Sequence, residues 1–369
     1  MAWLVLSFTS TSDVIQRVLF LLFGAMAAVF AAELILRVLP VSTATNTDYH
    51  LTPNILNYPP NHEWTMATGW DLRNVQHLRS NNMGFAAEHD FVAGSDAVGL
   101  IGDSYVEASM LPMADRPAAQ LERALGGRRV YAMGGPGSSL LDYAERIEWA
   151  HRTLGLNTFV VLMEHTDASQ ALCNSANVHA RCLSPDTLEP TVSRRPASSW
   201  FKNVLRESAL AQYLNSQLKF NTARMNSPDF WRSGTPPESG KPGPAPVQTA
   251  LEPLAVEQKR IVDAAVDAFF EKFDTLEGVR VVFVIDMNRR NLDSGVRLPD
   301  ESYHLAQRLR ARGQSVVQGE PIYRAHQRQS PLRLDVGPYD QHFNSIGVAL
   351  LMEAAATALK QNSNNAKEN

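Results

Sequence analysis

From residue 95 onward the chain alternates two kinds of segment, and that alternation limits its folding more than any other feature. Short apolar runs rich in β-branched residues stand at 97–101 (AVGLI), 129–133, 158–163 (TFVVLM) and 279–285 (VRVVFVI), with a weaker run at 315–317. Runs of this length without polar alternation suit strands covered on both faces. Between them lie segments with helical spacing. Asp115 is placed to cap a helix with Pro117 in its first turn and Gly126 at its end. Ser138 or Ser139 can cap a second, with Leu141, Ala144, Ile147, His151 and Leu154 on one face and Gly155 at its end. A third spans about 254–274, with Ile261, Ala265, Phe269 and Phe273 in phase. Asp300 caps a fourth ending near Gly313, and a last one follows Asn344 and carries Leu351, Ala354, Ala358 and Leu359. Strand and helix in alternation predict an α/β fold: right-handed crossovers and a parallel sheet between helices.

The 369 residues suffice for one large or two ordinary domains. A hydrophobic fraction of 44% with 20% charged residues is that of a globular chain. The net charge of −4 offers no broad basic surface, so no nucleic-acid partner is expected. Two cysteines are too few for a disulfide-dense scaffold or a four-Cys zinc site, and neither HExxH nor CxxC is present. The glycines near 134 lack the spacing of a dinucleotide or phosphate loop. No cofactor or metal is expected.

Ahead of the alternating region, VLFLLFGAMAAVFAA occupies 18–32, Glu33 interrupts it, Leu34, Ile35 and Leu36 extend it, and Arg37 closes it. The 19 residues 18–36 make a helix of roughly 28 Å, close to the hydrocarbon thickness of a bilayer. An uncleaved membrane anchor fits best; a cleaved secretory signal and a buried core helix are the alternatives. Cys173 and Cys182, if oxidised, close a loop of about ten residues worth on the order of 2–3 kcal/mol. The alternative is two free thiols. An apolar run followed by a potential disulfide points to an extracytoplasmic main domain. We divide the chain into an anchor or signal (1–40), a Pro-dotted linker or cap (41–80), a main domain (81–360) and a disordered tail (361–369). The main domain holds an insertion at about 171–250, partly helical around 200–220 and Pro/Gly/Ser-rich at 227–248.

In open parallel sheets ligands bind beyond the carboxyl ends of the strands. The polar residues following each expected strand are Gly102-Asp103-Ser104, Gly134-Gly135-Pro136-Gly137-Ser138, Glu164-His165-Thr166-Asp167 and Asp286-Met287-Asn288. Asp340-Gln341-His342 precedes the last helix. A serine hydroxyl needs a base to act as a nucleophile near pH 7, and His342 can supply it. Asp340 can hold the imidazole in the required tautomer. The amides of Ser104 and Gly137 can point at a developing oxyanion.

These blocks carry a resemblance. NNMGFAAEHDF…AVGLIGDSYVEASMLP (81–112), VYAMGGPGSS (130–139), FVVLMEHTDAS (159–169) and YDQHFNSIGVALLMEAAATAL (339–359) resemble the ordered blocks of the SGNH/GDSL hydrolase superfamily. The apolar run ending ELILRVLP resembles its membrane-anchored bacterial members. The resemblance implies a flavodoxin-like three-layer α/β/α sandwich and an ester-cleaving or acyl-transferring site. By it Ser104 is the nucleophile, Asp340 and His342 complete a triad, and Ser104, Gly137 and Thr166 form the oxyanion hole. Where the family carries Gly-Asn-Asp, this chain reads His165-Thr166-Asp167. Thr166 therefore has only a hydroxyl to offer in place of an amide. Asp103, His165 and Asp167 stand beside these as supporting candidates. The expected activity is cleavage of O-acyl esters, acetyl above all, on envelope carbohydrate. An O-acyltransferase using the same triad is the second reading. A carbohydrate-binding or assembly component without turnover is the third.

Overall fold

The computed structural model describes residues 11–175, 180–194, 199–218, 254–287, 289, 292, 301–337 and 340–368. The stretch 227–248, Asn288 and Asp300 lie outside the described residues. The chain divides into two units, which are taken in turn: Met1–Ala44, Trp64–His77 and Ser198–Pro236 form one, and the remainder forms the other.

In the first unit, helix α1 runs over Thr11–Val38. Its segment Ile15–Val38 is long and apolar enough to cross a membrane, and none of its most apolar stretch is buried in protein. Residues 41–80 are more ordered than a linker. They form two small ribbons, β1 (Asp48–Thr52) with β2 (Ile55–Asn57), which belongs to the second unit, and β3 (Glu63–Thr68) with β4 (Arg73–Arg79), most of which belongs to the first. Strands this short carry too little apolar patterning to be read from sequence.

The second unit holds the sheet. In chain order it contains β5 (Val98–Gly102), α2 (Ser104–Glu107), α3 (Pro117–Ala124), β6 (Val130–Gly134), α4 (Leu140–Leu154) and β7 (Thr158–Met163). A short hairpin, β8 (Arg181–Leu183) and β9 (Pro190–Val192), follows. After α5 (Trp200–Glu207) and α6 (Ala209–Gln212), which belong to the first unit, come α7 (Val256–Phe273), β10 (Arg280–Ile285), α8 (Glu301–Ala311), β11 (Ser315–Gln318) and α9 (Gly319–Gln327). The strands β12 (Asp335–Gly337) and β13 (Asp340–Phe343) and helix α10 (Ser345–Glu368) complete it.

All five apolar runs become strands of one parallel sheet, in the order β11-β10-β7-β5-β6. Every residue of β5, β6 and β7 is buried, which requires cover on both faces. Two helical groups provide it, α3 against α10, and α4 and α8 against α7. The result is a flavodoxin-like α/β sandwich. The order of the first three strands is β6-β5-β7, so the chain leaves β5 in one direction and later returns on its other side. That reversal opens a crevice beyond the carboxyl end of β5.

Several local expectations are corrected. The cap of α3 is Arg116 and not Asp115, which closes a 3-10 turn. Pro117 occupies the first helical position and forces the residue before it into extended backbone. Within the expected insertion at 171–250, the described residues divide between the two units. Its β8–β9 ribbon belongs with the sheet, while α5 and α6 belong with α1, because the Glu33 carboxylate accepts hydrogen bonds from Ser208 and from the Ala209 and Leu210 amides. The last helix continues to Glu368, past the expected break at 361, since neither Gly nor Pro follows to stop it.

Gly134 shows how closely the sheet meets the turn after β5. A Cβ there would stand 2.6 Å from the Glu107 amide nitrogen and 3.0 Å from the Asp103 carbonyl oxygen, both backbone atoms that cannot swing aside. Gly134→Ala is therefore expected to cost about 1–3 kcal/mol, read as a lowered melting temperature.

Candidate active site

Ser104 sits at the crevice because β5 ends at Gly102 and α2 begins at Ser104. The Asp103 side chain makes the sharp turn by accepting the Tyr105 amide at 2.8 Å. The Ser104 Oγ lies 2.8 Å from His342 Nε2, across 238 positions of sequence. His342 Nδ1 lies 2.7 Å from Asp340 Oδ1, and the same oxygen accepts the His342 backbone amide at 3.0 Å. A carboxylate at Nδ1 fixes the proton there, which leaves Nε2 free to accept from the serine hydroxyl.

The β12–β13 ribbon that carries Asp340 and His342 is anchored on both sides of the imidazole. Arg289 Nη2 donates to the Gln341 carbonyl at 2.7 Å, and its guanidinium lies 4.1 Å from the centre of the Phe343 ring. Arg289 is itself held by Asp286, whose Oδ1 accepts the Tyr323 hydroxyl at 2.8 Å. The Tyr105 ring packs on the imidazole with centres 4.9 Å apart. Beside this ribbon opens a cavity of about 600 Å³, lined in part by Arg289, Tyr323, Arg333, Asp335 and Gln341.

Gly137 lies in the loop after β6 with φ +76°, a conformation that a side chain would strain. Three groups fix this loop. The Gly135 amide donates to the Gly102 carbonyl at 3.1 Å, which joins the ends of β5 and β6. Arg146 on α4, fully buried, donates to the Gly102 carbonyl at 2.9 Å and to Ser138 Oγ at 2.5 Å. Ser138 Oγ in turn donates to the Gly135 carbonyl. Burial pushes the Arg146 guanidinium below its ordinary pKa, against neighbouring carboxylates that support its charge.

Thr166 departs from the oxyanion role given to it. Its hydroxyl donates to Glu164 Oε2 at 2.5 Å and its amide to the same oxygen at 2.8 Å. His165 Nδ1 pairs with the other Glu164 oxygen. Burial raises the Glu164 pKa, but the bonds from His165 and Thr166 outweigh it and hold the carboxyl below the usual range. With its proton committed to Glu164, Thr166 has none for an oxyanion. Thr166→Val is thus expected to change kcat for an aryl ester by less than about tenfold, against the 10²–10³ typical of a lost oxyanion donor. Steady-state kinetics on the purified variant read this directly.

Asp167 is held by side-chain and backbone donors. Its Oδ2 accepts the Tyr143 hydroxyl at 2.7 Å and the Glu164 amide at 3.0 Å. Complete burial pushes its carboxyl far above the ordinary range, with the nearby Asp103 and Glu164 charges acting in the same direction. Asp103, also buried, is pushed up to about 6, chiefly by desolvation. Sequence does not single out Arg146, Tyr143 or Arg289, and it names Glu164 and Asp286 only among the polar residues that follow the strands. Cys173 and Cys182 are joined in a disulfide at the base of the β8–β9 ribbon.

No protein-family model and no curated protein matches the chain. Its structure is similar to a lipolytic protein of the G-D-S-L family from Veillonella parvula, at 12% identity and a TM-score of 0.36, covering 71% of this chain and 96% of that one. A second similar structure, a G-D-S-L-family protein described as a putative lipolytic protein, comes from Desulfitobacterium hafniense, with 10% identity, a TM-score of 0.37 and coverage of 72% and 99%. A third is a catalytic mutant of an acetylxylan esterase from Geobacillus stearothermophilus, at 10% identity and a TM-score of 0.39, covering 73% and 95%.

Proposed function

We propose that the chain is a serine ester hydrolase of the SGNH/GDSL type, cleaving an O-acyl ester through an acyl-enzyme on Ser104. The observation that carries this reading is the continuous proton path Ser104 Oγ–His342 Nε2, 2.8 Å, and His342 Nδ1–Asp340 Oδ1, 2.7 Å. Ser104 Oγ attacks the ester carbonyl carbon as its proton passes to His342 Nε2. The tetrahedral oxyanion is met by the Ser104 and Gly137 amides. As the C–O bond breaks, the alkoxide takes the proton from His342. Water then gives a proton to Nε2 and attacks the acyl carbon, and Ser104 leaves with that proton, releasing the acid.

We place the site in the periplasm, with α1 as an inner-membrane anchor. The apolar exposed segment Ile15–Val38 and the Cys173–Cys182 bond support this. An acetyl ester on envelope carbohydrate is the substrate class that this position favours. Mass spectrometry after treatment with a fluorophosphonate tests the chemistry. Phosphonylation of Ser104 is expected; an unlabelled Ser104 in folded protein overturns it.

A further inference from the structure

Helix α5 (WFKNVLRE) presents an apolar arc that none of the described residues covers. Trp200, Phe201, Val204 and Leu205 are 75%, 57%, 55% and 43% exposed. At about 100° per residue these four occupy one arc of roughly 140°. Lys202, Asn203 and Arg206 fill the opposite side. Trp and Phe on one side and basic residues on the other is the pattern of a helix lying in a bilayer surface. An exposed arc of this kind needs a cover, and its neighbour indicates which.

That neighbour is α1. The Glu33 carboxylate, near the end of the apolar run, accepts Ser208 Oγ at 2.8 Å and the amides of Ala209 and Leu210 at 3.0 and 2.9 Å. Ser208 ends α5 and begins α6. Arg37 pairs with Glu33 at 2.8 Å and reaches the Glu207 carbonyl at 3.4 Å. The carboxyl end of α5 is thus tied to α1 at the depth where its last charged residues, Glu33 and Arg37, lie. Trp70, 70% exposed, joins the same group through its carbonyl, which accepts the Tyr213 hydroxyl at 2.7 Å.

We infer that α5 lies in the headgroup layer of the bilayer that α1 enters, with Trp200, Phe201, Val204 and Leu205 facing the acyl chains. The inference rests on α1 being a membrane anchor. The lipid is a bilayer surface, not a bound single molecule, because the arc is the outer face of a helix tied at its carboxyl end to α1. Glu33 is explained at the same time: its charge meets three donors of the α5–α6 turn at the membrane boundary.

The test is spin-label accessibility on the full chain in phospholipid nanodiscs. Single cysteines replace Trp200 and Val204, Lys202 and Asn203, and, on α1, Phe20 and Met26; the native cysteines are paired. Labels at 200 and 204 are expected to collide more often with dissolved oxygen than with a water-soluble nickel chelate, and labels at 202 and 203 the reverse. Labels at 20 and 26 report on the anchor independently. Oxygen preference at 20 and 26 with nickel preference at 200 and 204 overturns the inference and leaves the anchor standing. Shielding of 200 and 204 from both reagents overturns it in favour of a protein cover. Nickel preference at 20 and 26 overturns anchor and inference together.

Discussion

Replacing Ser104 by alanine is expected to lower kcat on an aryl acetate by about 10⁴-fold or more, with little change in melting temperature. The size follows from what the hydroxyl does. It is the only atom lost, and in the proposed mechanism it is both the nucleophile and the partner of His342 Nε2 at 2.8 Å. A factor of 10⁴ corresponds to about 5.4 kcal/mol of transition-state stabilisation. Stability is spared because Ser104 is half-buried and its hydroxyl contacts only His342 and, at 3.5 Å, Asp103 among the described residues. The amides of Ser104 and Gly137 and the positions of Asp340 and His342 remain. The residual rate then measures the oxyanion donors and binding alone. Turnover within tenfold of the parent protein would remove Ser104 from the chemistry and leave the serine–histidine contact as a structural one.

What could be read from the sequence was what local pattern encodes. The runs at 97–101, 129–133, 158–163 and 279–285 stand within one residue of the observed strands, because a strand buried on both faces needs an unbroken apolar run. Gly155 marks the end of α4 because a helix often closes on a left-handed residue, and here φ is +75°. The ribbon carrying Asp340 and His342 was not legible as strand. Asp-Gln-His-Phe has one apolar residue, and its pairing with 335–337 depends on a partner segment of three. Helix α9 was missed because Pro321 interrupts its pattern, although proline in the first turn of a helix costs little. The buried polar contacts lay furthest from view. Arg146 meets Gly102 across 44 residues and Tyr143 meets Asp167 across 24, and no local period signals such pairs.

The same geometry explains why Asp340→Asn should be nearly as damaging as loss of the nucleophile, though it removes no reacting atom. Asp340 Oδ1 accepts two hydrogen bonds, from the His342 amide at 3.0 Å and from its Nδ1 at 2.7 Å. An asparagine carbonyl oxygen in the place of Oδ1 can accept both, but it carries no full charge, and its NH₂ is the alternative occupant of that place. If that group faces Nδ1, the ring must carry its proton on Nε2, where it can no longer accept from Ser104. The imidazolium formed during attack also loses its compensating charge. The ring itself stays in place, because Arg289 holds the Gln341 carbonyl and covers Phe343 while Tyr105 packs on the imidazole. The loss is therefore in proton transfer and not in folding. A fall in kcat of about 10⁴-fold at pH 7 is expected, the size known when a triad carboxylate of this kind is neutralised in a serine protease. KM should change little, and fluorophosphonate labelling of Ser104 should slow in parallel, since both reactions begin with transfer of the same proton. Should Asp340→Asn keep a tenth or more of the parent rate while folded, the carboxylate does not orient His342, and the buried Asp103 beside Ser104 becomes the acid to examine.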